Sequence, residues 1–319
     1  MNILITGAAG FIGFSVAKKF LEKKFNVVGI DNYDSYYSVK LKKLRIKQLK
    51  FFKNFKFYNV DITNFDRLRG IVKKLKLDYV YHFAAQPGVR YSLINPKKYY
   101  DTNINGYSNL IESLNKKNIK KIIYASSSSV YGDQKKYPIK EGFTLKAKNP
   151  YALSKVVNEK YSEVYSNLYN INFIGLRFFT VYGKWGRPDM FIIKLLSSIF
   201  KNKTFYLNNS GDHYRDFTYI DDVSEICIKL IKRKTNKKHF IFNICASNQV
   251  NILNLSKKII KKFPKSKIKN IKANKADVYK TLGDNKKIKN FIKFKKFTNI
   301  NFGLKQTIEW YSYNYKILK

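Results

Sequence analysis

Tyr151 and Lys155 stand four residues apart. On a helix that spacing puts both side chains on one face, one turn apart. A phenol with an ordinary pKa of ~10 is a poor base at neutral pH. An ammonium beside it stabilises the phenolate and brings that pKa down. In a chain with 25 tyrosines the pair gains meaning from a second segment, the four serines Ser126 to Ser129 followed by Val130-Tyr131-Gly132. They come directly after the apolar stretch 122–125, which reads as a buried strand. A hydroxyl there can hydrogen-bond the same substrate oxygen as Tyr151. The bland reading of a serine run is a polar turn, and its place at the end of a buried strand speaks against that.

A third constellation opens the chain. The apolar stretch 3–6 runs into Gly7-Ala-Ala-Gly10-Phe11-Ile12-Gly13, with glycines three apart where ordinary dehydrogenases have G-x-G-x-x-G. A tight turn there lets backbone N–H groups approach a pyrophosphate at a helix N-terminus, and Gly13 lets helix and strand pack closely. Asp31 follows Gly13 by eighteen residues. A carboxylate at the end of the second strand accepts hydrogen bonds from ribose hydroxyls and repels a 2′-phosphate. With no arginine adjacent in sequence, NAD is expected over NADP. Asp61 and Ile62 end the third strand, where an adenine would lie. Ala84 and Ala85 end the fourth and are small enough for a cofactor to pass.

The elements that must position these groups alternate. Strands are expected over 3–6, 27–30, 57–60, 79–83, 122–125 and 173–176. Helices are expected over 11–24, 64–75, 96–117 and 151–169. Repeated βαβ units predict a Rossmann-type, doubly wound parallel sheet with ligands at the strand C-terminal ends. Beyond Arg177 the pattern loosens into Gly-, Pro- and Asp-rich loops with short helices near 190–200 and 221–232. This predicts an NAD-binding domain over 1–177 and a smaller, interleaved second lobe over 178–319, with segments near 211–250 returning to the first. The tail from 251 carries 19 lysines against three acids. It keeps helical apolar spacing at Leu253, Leu255, Ile259, Ile260 and Phe263, so it reads as a solvated basic face.

The formal net charge of +42 invites a nucleic-acid reading. Only eight of the 63 basic residues are arginine, the residue that reads phosphates and bases bidentately. The excess is lysine beside abundant Asn, Ile, Phe and Tyr, all with A/T-rich codons. A compositional bias is therefore expected, with no nucleic-acid partner. Cys227 and Cys245 form no CxxC pair and His82, His213 and His239 are scattered, which argues against a metal cluster or disulfide framework and fits a reducing cytoplasm. His82 reads as structural. No signal peptide or membrane span is expected.

The segments Ala84–Ser92, Tyr124–Gly132, Arg177–Gly183, Trp185–Met190 and Arg215–Asp222, with the Trp310-Tyr311 ending, resemble the extended short-chain dehydrogenase/reductase family, and within it the UDP-glucuronate 4-epimerase subgroup. The resemblance spans nearly the whole chain. It implies a nucleotide-sugar epimerase with tightly held NAD on a Rossmann lobe, a UDP-sugar substrate on a sugar-nucleotide-binding lobe, mainly 178–319, and a homodimer. Carried over by motif position, Tyr151 is the base, Lys155 holds the nicotinamide ribose and tunes Tyr151, and Ser127 shares the sugar O4. Asn32 and Asn103 complete the expected cofactor set. Relatives that eliminate water or decarboxylate carry a carboxylate in the serine turn. Here Ser129 takes the decarboxylating position and no acid lies between Ser126 and Gly132, which points to epimerisation with C6 retained.

A uronate needs a receptor for its carboxylate. Arg187 and Thr180 are first candidates, with Ser128 and Ser129 adding hydroxyls and Arg90 as a second guanidinium. The alternative for Arg187 is a loop-bracing pair with Asp189. Arg215 and Asp277 are expected on the UDP pyrophosphate and ribose. Pro87, Lys184 and the lysine-rich stretch 144–150 depart from the subgroup, in loops over the sugar. A UDP-N-acetylhexosamine or its uronate is therefore the runner-up substrate. An NAD-binding nucleic-acid or sensor protein that lost catalysis is the reading from another class.

Overall fold

The computed structural model describes residues 1–115, 117–234, 238–272 and 278–318. In chain order the strands are β1 (Asn2–Thr6), β2 (Asn26–Asp31), β3 (Phe55–Asn59), β4 (Tyr79–His82), β5 (Lys121–Ser127), β6 (Asn172–Phe178), β7 (Thr180–Tyr182), β8 (Phe205–Asn208), β9 (Tyr214–Tyr219), β10 (His239–Ile244), β11 (Gln249–Asn251) and β12 (Ile268–Ile271). The helices are α1 (Phe11–Glu22), α2 (Val39–Leu49), α3 (Phe65–Lys73), α4 (Val89–Ile94), α5 (Pro96–Tyr99), α6 (Gly106–Ser113), α7 (Pro150–Leu168), α8 (Phe191–Phe200), α9 (Ile220–Ile231), α10 (Ile252–Ile260), α11 (Lys286–Ile292) and α12 (Ile300–Leu318).

Seven strands form one sheet in the order β10-β6-β5-β4-β1-β2-β3, and every pairing in it is parallel. Because both faces are covered, the middle of β1, residues 3–5, is an unbroken apolar run. Its Ile3 and Ile5 face a core with Phe14 and Phe20 of α1 and Val223 and Cys227 of α9. Leu4 faces the opposite core with Leu68, Leu110 and Ile122. The winding reverses between β1 and β4, which opens a crevice at their C-terminal ends. Thr6 pairs with Ile30 and with His82 there, so the loops after β1, β2 and β4 rim one opening. Strands β11, β9 and β7 form a small mixed sheet and β12 pairs with β8, building the lobe that faces the crevice.

Several elements differ from expectation. The single helix foreseen over 96–117 is α5, a π-helical turn (Tyr100–Asn105) and α6, preceded by α4. The π turn brings Asn103 inward, where its Oδ1 accepts from the Gln86 N–H at 2.7 Å. Helix α2, unforeseen, buries Lys42 and Arg45 among Leu41, Ile46 and Leu49. Strand β3 begins and ends earlier than 57–60. Helix α7 starts one residue before Tyr151, because Asn149 caps the Ala152 N–H at 2.9 Å and Pro150 fills the first turn.

Candidate active site

The glycine loop is shaped by contact as well as by turn geometry. Gly7 has φ +72°, and a Cβ on Gly13 would lie 2.0 Å from the Gly7 carbonyl oxygen, so helix α1 can start this close to β1 only with glycine at 13. Gly10 caps α1 without a side chain. The first-turn N–H groups of α1 therefore face the cleft as an anion cradle. Asp31 ends β2 with its carboxylate accepting from Ala9 N at 3.0 Å and Tyr33 N at 2.8 Å. Burial pushes its pKa up, against those two bonds and the charges of Lys42 and Arg45. Uncapped helix, glycine cradle and rigid carboxylate together fit a dinucleotide.

The fold brings Arg45 and Lys42 close to Asp31, although no arginine is adjacent to it in sequence. Arg45 is fully buried and donates to Ala9 O at 2.8 Å, Tyr37 Oη at 2.8 Å and Trp185 O at 2.5 Å. It ties the glycine loop to the 185–186 turn. Lys42 does line the cleft.

The cleft holds about 710 Å³ and runs from Gly7–Gly13 past Ser126–Ser129, Tyr151 and Lys155 to Thr180, Arg187 and Arg215. Along β5 the side chains alternate. Ser126 turns inward, donating to Glu159 Oε1 at 2.6 Å. The Ser127 hydroxyl caps the short turn Ser128–Tyr131 through the Ser129 N–H at 3.1 Å. Lys155, 1% exposed, donates to the Ala125 carbonyl at 2.9 Å. Burial brings its pKa down to about 8, with Glu159 acting the other way.

Tyr151 corrects the simple expectation of a lysine-lowered phenol. Burial pushes its pKa up, while a hydrogen bond from Ser127 and the charge of Arg187 pull it down. The Lys155 ammonium is turned to the Ala125 carbonyl. Arg187 lines the cleft and is also paired with Asp189, donating from Nε to Oδ1 at 3.0 Å and from Nη2 to Oδ2. The loop-bracing pair with Asp189 is therefore present, on a residue that also lines the cleft. Burial acts downward on the guanidinium, but the Asp189 charge leaves it more firmly protonated than usual.

Most of the expected residues converge: Gly7, Gly10, Phe11, Ile12, Gly13, Asp31, Asn32, Ile62, Ala84, Ala85, Arg90, Ser127, Ser128, Ser129, Tyr151, Lys155, Thr180, Arg187 and Arg215 all line the cleft. Asp61 is set back from it, accepting from Asn32 Nδ2 at 2.7 Å and from Thr63. Asn103 is fully buried behind the wall, tying Gln86 to Ser154. Asp277 lies outside the described residues. Lys42, Tyr36 and His213, given no role from sequence, also line the cleft. His82 is held by Thr6 at 2.8 Å and burial brings its pKa down to about 3. No group of metal-ligating side chains occurs among the described residues, and no described helix is long and apolar enough to cross a membrane.

The model of the NAD dependent epimerase/dehydratase family matches residues 3–245. A UDP-glucuronate 4-epimerase of Thermodesulfobacterium geofontis is 37% identical over 99% of this chain and 98% of its own. Among solved structures, a UDP-glucuronic acid 4-epimerase of Bacillus cereus in complex with UDP-glucuronic acid and NAD superposes with a TM-score of 0.91, at 31% identity over 98% of this chain and 99% of that one. A UDP-N-acetylglucosamine 4-epimerase of Methanobrevibacter ruminantium reaches 0.87 at 26% identity, covering 98% of each chain.

Proposed function

This chain belongs to the NAD dependent epimerase/dehydratase family, and from that premise we propose that it is an NAD-dependent UDP-glucuronate 4-epimerase. One observation carries the reading. Tyr151, Ser127 and Lys155 meet in a cleft that begins at a dinucleotide cradle and continues to Arg187, with no carboxylate in the serine turn to drive elimination or decarboxylation.

The first turn of α1, Asp31, Asn32, Ile62 and the Ala84-Ala85 backbone would hold NAD, with Lys155 on its nicotinamide ribose. What NAD supplies when bound is a hydride acceptor for C4 that gives the hydride back. Tyr151 takes the 4-hydroxyl proton as C4 is oxidised and gives it back to O4 after the 4-keto ring has turned to present its other face. Ser127 holds O4 through both transfers. Ser128, Ser129, Thr180 and Arg187 hold the sugar carboxylate, and Arg215 the diphosphate. Residues 1–177 are the cofactor domain and 178–319 mainly the sugar-nucleotide lobe. The expected result is that purified protein interconverts UDP-glucuronate and UDP-galacturonate without added NAD, read by proton NMR. No epimer under those conditions overturns the reading. A UDP-N-acetylhexosamine lacks the carboxylate that Arg187 would meet, and its uronate differs by the acetamido group, so kcat/KM across UDP-sugars separates both runner-up substrates.

The assembly we propose is a homodimer. Helix α7 buries small and polar residues, including Ser154, Asn158, Ser162 and Ser166, and turns Leu153, Val164 and Leu168 outward at 55%, 56% and 68% exposure. Leu93 and Ile94 of α4, which packs beside α7, are exposed too. A helix more apolar outside than inside is built to be covered, and a second copy supplies the same stripe in two-fold register. The double change Val164→Lys with Leu168→Lys should convert a dimer into a monomer by sedimentation; an unchanged mass rejects this face. The buried thiols of Cys227 and Cys245 fit the cytoplasm. With Arg90, Arg187 and Arg215 facing the cleft, the reading assigns no nucleic-acid partner.

A further inference from the structure

Glu159 has no part in the mechanism above, yet it is one of the few buried acids among the described residues. It follows Lys155 by one helical turn, as Lys155 follows Tyr151, so the three share a face of α7. Its carboxylate is 5% exposed as a residue and receives Arg177 in bidentate form, Nε to Oε1 at 2.8 Å and Nη2 to Oε2 at 2.7 Å. Oε1 also accepts from Ser126 Oγ at 2.6 Å. Lys155 reaches the carbonyl of Ala125, the residue before Ser126. Two successive residues of β5 are thus tied to two successive turns of α7, and the next residue on that strand is Ser127.

The geometry points to Glu159 as a positioning residue for the active site: through Ser126 it sets the serine turn against Tyr151, and it supplies the negative charge that keeps Lys155 an ammonium. The inference rests on the reading of Tyr151 and Lys155 given under Proposed function. A bare apolar packing role would need no carboxylate, and burying one is costly unless its charge is met on every side. Here Arg177 meets it from β6 and is itself held by Tyr131 Oη at 2.8 Å and Glu141 O at 2.9 Å.

The surroundings make Lys155 the group that reports the charge. Facing the pair are Tyr124 of β5 and Tyr131 of the serine turn, both pushed up by burial. His82 of β4 is brought down to about 3, and His239 of β10 is lowered. Glu141 approaches from the loop before α7 through its backbone bond to Arg177. Lys155 is lowered by burial to about 8 and pulled back up by Glu159. Removing the Glu159 charge therefore lets Lys155 lose its proton at lower pH.

The test is the pH profile of kcat/KM for UDP-glucuronate, whose alkaline limb reports the free enzyme. In Glu159→Gln the limb should move down by about one unit, the low end of what an opposite charge within ~4–6 Å does. Glu159→Asp, which keeps the charge, should restore it. If Glu159→Gln does not fold with Arg177 left unpaired, the double variant Glu159→Gln with Arg177→Met removes both charges and should show a smaller downward move, because loss of the cation acts the other way on Lys155. A limb unchanged in whichever glutamine variant folds overturns the inference. Failure of the underlying reading looks different: the wild-type chain would epimerise no UDP-sugar, or Tyr151→Phe would stay active.

Discussion

Tyr151→Phe is expected to keep its NAD and lose its turnover. The change deletes one oxygen from a ring that packs edge-on against Tyr99 with centroids 6.1 Å apart, so the packing that seats α7 is retained. The cofactor cradle is built elsewhere, from the α1 N-terminus and Asp31, and nothing in it leans on the phenol. What disappears is the one group placed to move the 4-hydroxyl proton both ways. A positioned general base contributes about 10²–10⁴-fold, and Tyr151 serves in both half-reactions, so kcat should fall by about 10³ or more. NMR of the sugar pool measures the loss, and the nucleotide released on denaturation shows whether NAD is still there. Turnover within tenfold of wild type would mean another group takes the proton. Because burial holds the phenol's pKa up while Ser127 and Arg187 pull it down, wild-type kcat/KM should rise with pH on its acid side, and a Ser127→Ala variant should need a higher pH to reach its maximum.

What could be read from sequence was local. The glycine loop, Asp31, the serine run and the Tyr151–Lys155 pair each sit within a few residues of the strand or helix end that presents them. The chain's alternation therefore placed them at one sheet edge before any contact was known. Helix α2 was hidden for a physical reason: two of its buried positions are Lys42 and Arg45, so the apolar stripe that announces a helix is interrupted by charge. The long helix foreseen over 96–117 failed at Asn103, where a side chain is drawn inward to hold Gln86, a tertiary demand that periodicity does not carry. Glu159 was equally invisible, since its partners Ser126 and Arg177 lie 33 and 18 residues away. The outward Leu153, Val164 and Leu168 stripe misleads in the opposite sense, because apolar spacing on a helix does not say which face meets the chain's own core. The lysine excess also changes meaning. Lys121 and Lys155 are buried on backbone carbonyls, so a few lysines are structural while most of the charge of +42 remains a solvated background.

Arg187→Met should change which sugar the enzyme prefers more than how fast it turns over. The guanidinium lines the cleft but already has a partner in Asp189, so a substrate carboxylate must share it or draw it away. Charge-assisted bonds contribute about 1.5–3 kcal/mol each, and ~1.4 kcal/mol is tenfold. Losing a bidentate grip should therefore lower kcat/KM for UDP-glucuronate by about 100-fold. A neutral UDP-hexose, which puts a hydroxymethyl group in that place, should lose less than tenfold. The variant also frees Asp189, whose carboxyl is held below its ordinary pKa chiefly by Arg187 against the upward push of burial. That carboxylate would then stand unpaired near the incoming one and repel it. The double variant Arg187→Met with Asp189→Asn should accordingly bind the uronate better than the single one, although both lack the guanidinium. Equal losses on uronate and neutral sugar, with no recovery in the double variant, would show that Arg187 only braces its loop. Unequal losses with recovery would show that Asp189 holds the receptor in place until the substrate's own carboxylate replaces it.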